Sequence, residues 1–152
     1  VKKVLFVCTG NTCRSVLAHR YAALLGAAQK LPFEFTSAGL LAGKNIEQPQ
    51  IVADLLKKEG VKDFKHVPVE LTADIAAQAD LILAMTADHK ARIAQLYPAA
   101  AAKTYTLIDY AGFGADDIAD PYRRDDLFYF EVFKLIKSAV RAALERLKKE
   151  VK

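Results

Sequence analysis

Within eight residues the chain brings together a thiol, a guanidinium and several hydroxyls: Cys8-Thr9-Gly10-Asn11-Thr12-Cys13-Arg14-Ser15. Five residues separate Cys8 from Arg14. That much chain can curl around one tetrahedral oxyanion, with backbone N–H groups turned inward and the guanidinium closing the ring. A thiol at the floor of such a ring loses its proton, because the ring amides, a helix N-terminus and Arg14 all favour negative charge. Gly10 and Asn11 are residue types that tolerate the positive φ a cradle of amides requires. Ser15 can cap a following helix and offer its hydroxyl to the Cys8 sulfur. The chemistry expected is a nucleophilic thiolate aimed at a phosphoryl group, with Thr9 through Ser15 holding the oxygens. A short loop around a buried structural cysteine is the plainer alternative.

A second chemical element is Asp120, in Asp120-Pro121-Tyr122. A phosphoryl leaving group departs better when protonated, and a carboxylic acid in a partly apolar loop can supply that proton. Pro121 biases Asp120 away from helical geometry and stiffens the loop where the carboxyl must be held. Spacing alone is equally consistent with a solvated loop. Asp116 and Asp117 have no proline or aromatic beside them and suit the role less.

These residues need a scaffold. Residues 4–8 read as a buried strand, and 15–28 as a helix with Leu17, Tyr21, Leu24 and Leu25 on one face. A second strand is expected over 33–37 and a helix over 50–59, stopped by Gly60. A short helix over 74–78 precedes an apolar strand at 81–85. Residues 87–96 look helical and end at Tyr97-Pro98. A fourth strand is expected over 104–108, and a long amphipathic helix over 127–149. This alternation implies an α/β fold with a parallel four-stranded sheet and helices on both faces, a flavodoxin-like three-layer sandwich. The Cys8 loop then lies at a strand-to-helix junction, where open α/β sheets bind ligands.

Composition narrows the classes. A chain of 152 residues with 53% apolar content suits one domain over residues 1–152 with a sizeable core. The net charge of +4 suits an anionic substrate. Several lysines cluster at the chain ends, and no basic patch carries interleaved aromatics, so nucleic acid is not an expected partner. Two cysteines and no export signal point to the reducing cytoplasm, and no segment is long enough to span a membrane. Cys8, Cys13, His19, His66 and His89 lack metal-ligand spacing, so neither metal nor other cofactor is expected. A Walker-type nucleotide site is excluded by the absence of Gly-Lys-Ser/Thr.

The stretch Val7-Cys8-Thr9-Gly10-Asn11-Thr12-Cys13-Arg14-Ser15 resembles the signature loop of the low-molecular-weight protein tyrosine phosphatases, a family that includes bacterial protein arginine phosphatases. Ser37-Ala38-Gly39, His66-Val67, Leu71-Thr72 and Asp120-Pro121-Tyr122 follow in the family's order. The resemblance implies Cys8 as nucleophile, Arg14 as phosphate clamp and Asp120 as general acid and base. It implies Asn11 as a brace meeting Ser37 and His66, and Tyr122 as an aromatic wall for the substrate. Reversible Cys8–Cys13 oxidation is also implied, with a packing role for Cys13 as the alternative. Phosphorylated proteins or peptides are the implied partners, and the chain is expected as a monomer or weak dimer.

Three departures from the family pattern stand out. Val16 replaces a common proline, and His19 a common glutamate. Thr12 occupies a position often apolar in tyrosine-specific members and threonine in arginine phosphatases. Leu40, Leu41 and Ala42 follow the second strand where an aromatic wall could stand, leaving Leu41 as the candidate substrate contact there. Phosphotyrosine is the first expectation and phosphoarginine, with Thr12 as selector, the alternative. An arsenate reductase fits less well, since no cysteine follows Cys13. A non-catalytic phosphate-binding module would need neither Cys8 nor Asp120. His19 and His89 are expected at the surface.

Overall fold

The structure, a computed structural model, describes residues 2–43 and 47–151. The elements run β1 (Lys2–Cys8), α1 (Arg14–Ala28), β2 (Phe33–Gly39), α2 (Gln50–Glu59), α3 (Ala73–Gln78), β3 (Leu81–Ala84), α4 (Ala87–Leu96), β4 (Thr104–Thr106), α5 (Leu107–Tyr110) and α6 (Asp126–Glu150). A 3-10 turn, Pro98–Lys103, joins α4 to β4.

The strands form one parallel sheet in the order β2-β1-β3-β4. Alternation along β1 sends Val4, Phe6 and Cys8 into the core beneath α1, α2 and α6, and Leu5 and Val7 into the core beneath α3 and α4. Those are the two helical layers of a three-layer sandwich. The connection from β1 goes to β2 on one side, and the next strand returns to β1's other side. The carboxyl end of β1 is therefore the switch point of the sheet, and the Cys8 loop springs from it.

Two expectations shift. The strand expected over 104–108 stops at Thr106, whose hydroxyl accepts from Asp109 N at 3.1 Å and starts the short α5 instead. On α1, Leu24 and Leu25 are only half-buried, while Val16, Leu17, Ala18, Tyr21 and Ala22 carry the buried face. Gly60 stops α2 in a left-handed conformation, φ 107°. No helix of the described residues is long and apolar enough to cross a membrane.

Candidate active site

Residues 8–15 leave β1 and enter α1 as a largely buried loop, with Thr9 and Gly10 toward the surface. Cys8, Asn11, Thr12, Cys13, Arg14 and Ser15 are each at most 5% exposed. Asn11, not Gly10, takes the left-handed backbone, φ 55°. Its side chain makes that conformation pay: Nδ2 donates to Ser15 Oγ at 2.8 Å, and Oδ1 accepts from Val69 N at 3.0 Å. Because the amide can only donate to Ser15 Oγ, the serine's own proton is directed at Cys8 Sγ, 2.9 Å away. His66 Nε2–H donates to the Asn11 carbonyl at 2.7 Å, which fixes its tautomer.

The expected meeting of Asn11 with Ser37 is absent. Ser37 Oγ pairs with His19 Nδ1 at 2.9 Å, and the serine on Asn11 is Ser15. His19 is thus not a free surface residue; burial and the nearby Arg20 hold its pKa down to about 4. His89 departs further from expectation. It is 7% exposed, with Nε2 2.8 Å from Thr9 Oγ1 and Nδ1 buried without a partner among the described residues. Burial, then Arg14, lowers its pKa to about 4, so the imidazole is neutral. An unpaired ring N–H in the interior costs more than a bare lone pair, which places the proton on Nε2, donated to Thr9.

Gly39 supplies a contact that residue chemistry alone does not reveal. A Cβ there would lie 2.6 Å from the Thr9 carbonyl oxygen and 2.9 Å from Asn11 N. The end of β2 presses against the loop, and Leu40 N and Leu41 N donate to the Cys8 and Thr9 carbonyls at 3.0 and 2.8 Å. The Cys8 and Thr9 carbonyls are thereby turned onto β2's continuation.

The Asp120 segment is built differently. Arg14 Nη1 donates to the Ile118 carbonyl at 2.9 Å, and Ile118 N donates to Met85 O at 3.0 Å. Asp117 Oδ1 accepts from Ala87 N at the start of α4, 2.8 Å away. From this tether Asp120 swings over the cradle, its Oδ2 3.7 Å from Arg14 Nη2 and its Oδ1 accepting from Tyr122 N at 3.0 Å. The carboxylate side chain is 56% exposed, more open than a partly apolar loop would leave it. Cys8, Thr12, Arg14, Asp120 and Tyr122 line one pocket of about 130 Å³, enough for a phosphoryl group and the near end of its carrier. Leu41 is not among its walls; it is exposed and borders a neighbouring groove.

Both cysteines are free. Cys13 Sγ lies 3.6 Å from both Tyr129 Oη and Thr12 Oγ1, and burial raises its pKa, so it is held as a thiol. Among the described residues no three His, Cys, Asp or Glu side chains gather as a metal site.

Residues 3–152 match the profile of the family described as low molecular weight phosphotyrosine protein phosphatase. The chain is 35% identical to a protein-arginine-phosphatase of Geobacillus stearothermophilus over 95% of this chain and 93% of that protein. It is 32% identical to a putative low molecular weight protein-tyrosine-phosphatase of Klebsiella pneumoniae, covering 95% and 96% of the two chains. Among solved structures it superposes on a cysteine-to-serine mutant of the YwlE arginine phosphatase that carries a phosphorylated active-site serine. That match has a TM-score of 0.91 and 30% identity, over 97% of this chain and 96% of the other.

Proposed function

Because the chain belongs to the low molecular weight phosphotyrosine protein phosphatase family, we propose that Cys8, Arg14 and Asp120 carry out its hydrolysis, with phosphotyrosine in protein substrates as the group released. The observation that carries the assignment is the convergence of Cys8 Sγ, the Arg14 guanidinium and the Asp120 carboxyl on one 130 Å³ pocket.

In the first step Cys8 Sγ attacks phosphorus in line, the S–P bond forms and the P–O bond to tyrosine breaks. Asp120 gives its proton to the departing oxygen. The amides of Thr9 through Ser15 and the free N–H groups of Arg14 hold the three equatorial oxygens, where charge is spread in the transition state. In the second step water attacks phosphorus, Asp120 takes its proton, and the S–P bond breaks to release phosphate. The Ser15 hydroxyl, turned toward Sγ by Asn11, donates to the sulfur as it regains its electron pair. The same groups serve in both steps because the cradle never has to rearrange.

Thr12 favours a second reading. The residue is 5% exposed and lines the phosphate pocket, so a hydroxyl stands where an aryl ring would prefer an apolar wall. A hydroxyl there can accept from the guanidino N–H of phosphoarginine, in which case Asp120 protonates nitrogen. The test is kcat/KM on matched phosphotyrosine and phosphoarginine peptides for wild type and Thr12→Ile. A phosphotyrosine preference in both proteins supports the first reading; a phosphoarginine preference that Thr12→Ile reverses replaces it with the second.

A further inference from the structure

Beside the phosphate pocket lies a second and larger concavity, about 560 Å³, between α4 and the turn that follows β2. The two share Thr9 and Arg14. On the far side of Thr9 the groove is walled by Leu40 and Leu41 from the turn and by Ala91 and Gln95 from α4. We propose that this groove is a subsite for the polypeptide flanking the phosphorylated residue, a reading that rests on the phosphatase assignment above.

Size is the first argument. The phosphate pocket has room for the phosphoryl group and the near end of one side chain, so the rest of a protein substrate must lie outside it. The larger concavity adjoins it, with Thr9 and Arg14 as shared walls. A chain leaving the pocket past Thr9 meets the groove next.

The lining is the second argument. Leu40, Leu41 and Ala91 offer apolar contact, while the Thr9 and Thr86 hydroxyls and the Gln95 amide offer hydrogen bonds to a peptide backbone. Asp88 and Arg92, one helical turn apart on α4, bring one charge of each sign, and Arg92 forms no ion pair among the described residues. A surface built for a polyanion would carry cations in excess; beyond the shared Arg14, whose guanidinium serves the phosphate pocket, Asp88 and Arg92 balance. Apolar and hydrogen-bonding walls together with charges of both signs match an extended polypeptide.

The junction is fixed rather than mobile. His89, on α4, donates to Thr9 Oγ1 across the boundary between the two cavities. With that lone pair taken, the Thr9 hydroxyl proton is left to donate toward the shared mouth, where a carbonyl of the flanking chain would arrive. The α4 wall is in turn tied to the Asp120 segment through Asp117 and Ala87 N. A peptide seated in the groove therefore rests on an element that also anchors the acid.

The experiment compares kcat/KM on p-nitrophenyl phosphate, a single capped phosphorylated residue and phosphopeptides of increasing length. Wild type is set beside Ala91→Trp, an exposed helix position where an indole would fill the groove without touching the phosphate pocket. In wild type the longer peptides should gain about tenfold over the capped residue, since binding energy from remote parts of a substrate is spent at the reacting centre. Ala91→Trp should erase that gain and leave p-nitrophenyl phosphate within about twofold. Equal losses on every substrate, or peptide rates untouched by Ala91→Trp, would overturn the groove while leaving the phosphatase reading intact. A wild type inert toward all three substrates would overturn both. Should Ala91→Trp convert a dimer to a monomer in sedimentation with peptide rates unchanged, the groove's occupant is a second copy of this chain, and the proposal fails.

Discussion

The two segments that meet over the phosphate pocket are built on opposite plans. Residues 8–15 are, Thr9 and Gly10 apart, buried and over-determined: Asn11, Ser15 and His66 fasten one side, His89 fastens Thr9 on the other, and the end of β2 presses from behind. The Asp120 segment hangs from Ile118 and Asp117 and leaves its carboxyl more than half exposed. The contrast follows from the work each does. Binding a dianion in transition-state geometry rewards donors that need no reorganisation. A proton donor must instead reach a leaving group, release it and then meet water. The cradle is rigid so that the acid need not be.

The contrast is broken most severely at the nucleophile. Cys8→Ser should lower kcat on p-nitrophenyl phosphate by at least about 10⁴-fold while the thermal midpoint stays within a few degrees, because a near-isosteric atom replaces sulfur. Retained turnover would remove Cys8 from the mechanism. Asp120→Ala should cost about 10²–10³-fold on poor leaving groups, far less on activated aryl phosphates, and almost nothing in stability. An equal loss across leaving groups would deny Asp120 its proton-donating part.

Asn11→Ala should strike both quantities at once. It deletes bonds to Ser15 and Val69 in a buried site and puts alanine at positive φ, a change worth about 2–3 kcal/mol of stability. Calorimetry beside turnover would show whether the cradle's rigidity and its activity are one property; a variant with normal stability would separate them. The gentlest probe is pH. His19 and His89 both have folded pKa values near 4, below the ordinary 6.5, so the unfolded chain binds their protons first. Their contribution is fully present above about pH 6.5 and is lost as pH falls toward 4. For the 7%-exposed His89 this is on the order of 3 kcal/mol. Around it stand Arg14, which opposes its protonation, and Asp88, Asp117 and Asp120, which assist it. Denaturant titrations of His89→Gln should show a flatter acid limb than wild type.

Much of this was legible in the residues. Local pattern is strong where one face is buried and a terminator is explicit, which is why α2 and α4 fall where periodicity, Gly60 and Pro98 put them. It misleads where a side chain outbids it, as when the Thr106 hydroxyl turned an apparent strand into α5. The loop's chemistry is also local, since Cys8, Arg14 and Ser15 are separated by a handful of residues. What the sequence hid are long-range pairings: Thr9 with His89, 80 residues on, Ser37 with His19, and Arg14 with the Ile118 carbonyl. A histidine reads alike whether solvated or sealed under a helix, and a backbone carbonyl carries no signature at all. Leu41 departs from expectation for a related reason: residue type does not say on which side of the loop the turn after β2 lies, and that turn borders the groove beside α4 rather than the phosphate pocket.

Arg14 has one further consequence. Its guanidinium is 7% exposed, and the nearest carboxylate is 3.7 Å away and half in water, so the fold holds an incompletely neutralised cation. An anion that enters the cradle completes a charge balance the chain leaves open, and by mass action it stabilises the folded state. A ligand at one hundred times its dissociation constant adds about 2.7 kcal/mol. Inorganic phosphate is both the reaction's product and such an anion. The same ion that slows turnover by occupying the cradle would therefore lengthen the protein's lifetime against heat and proteolysis, and free phosphate would set both at once.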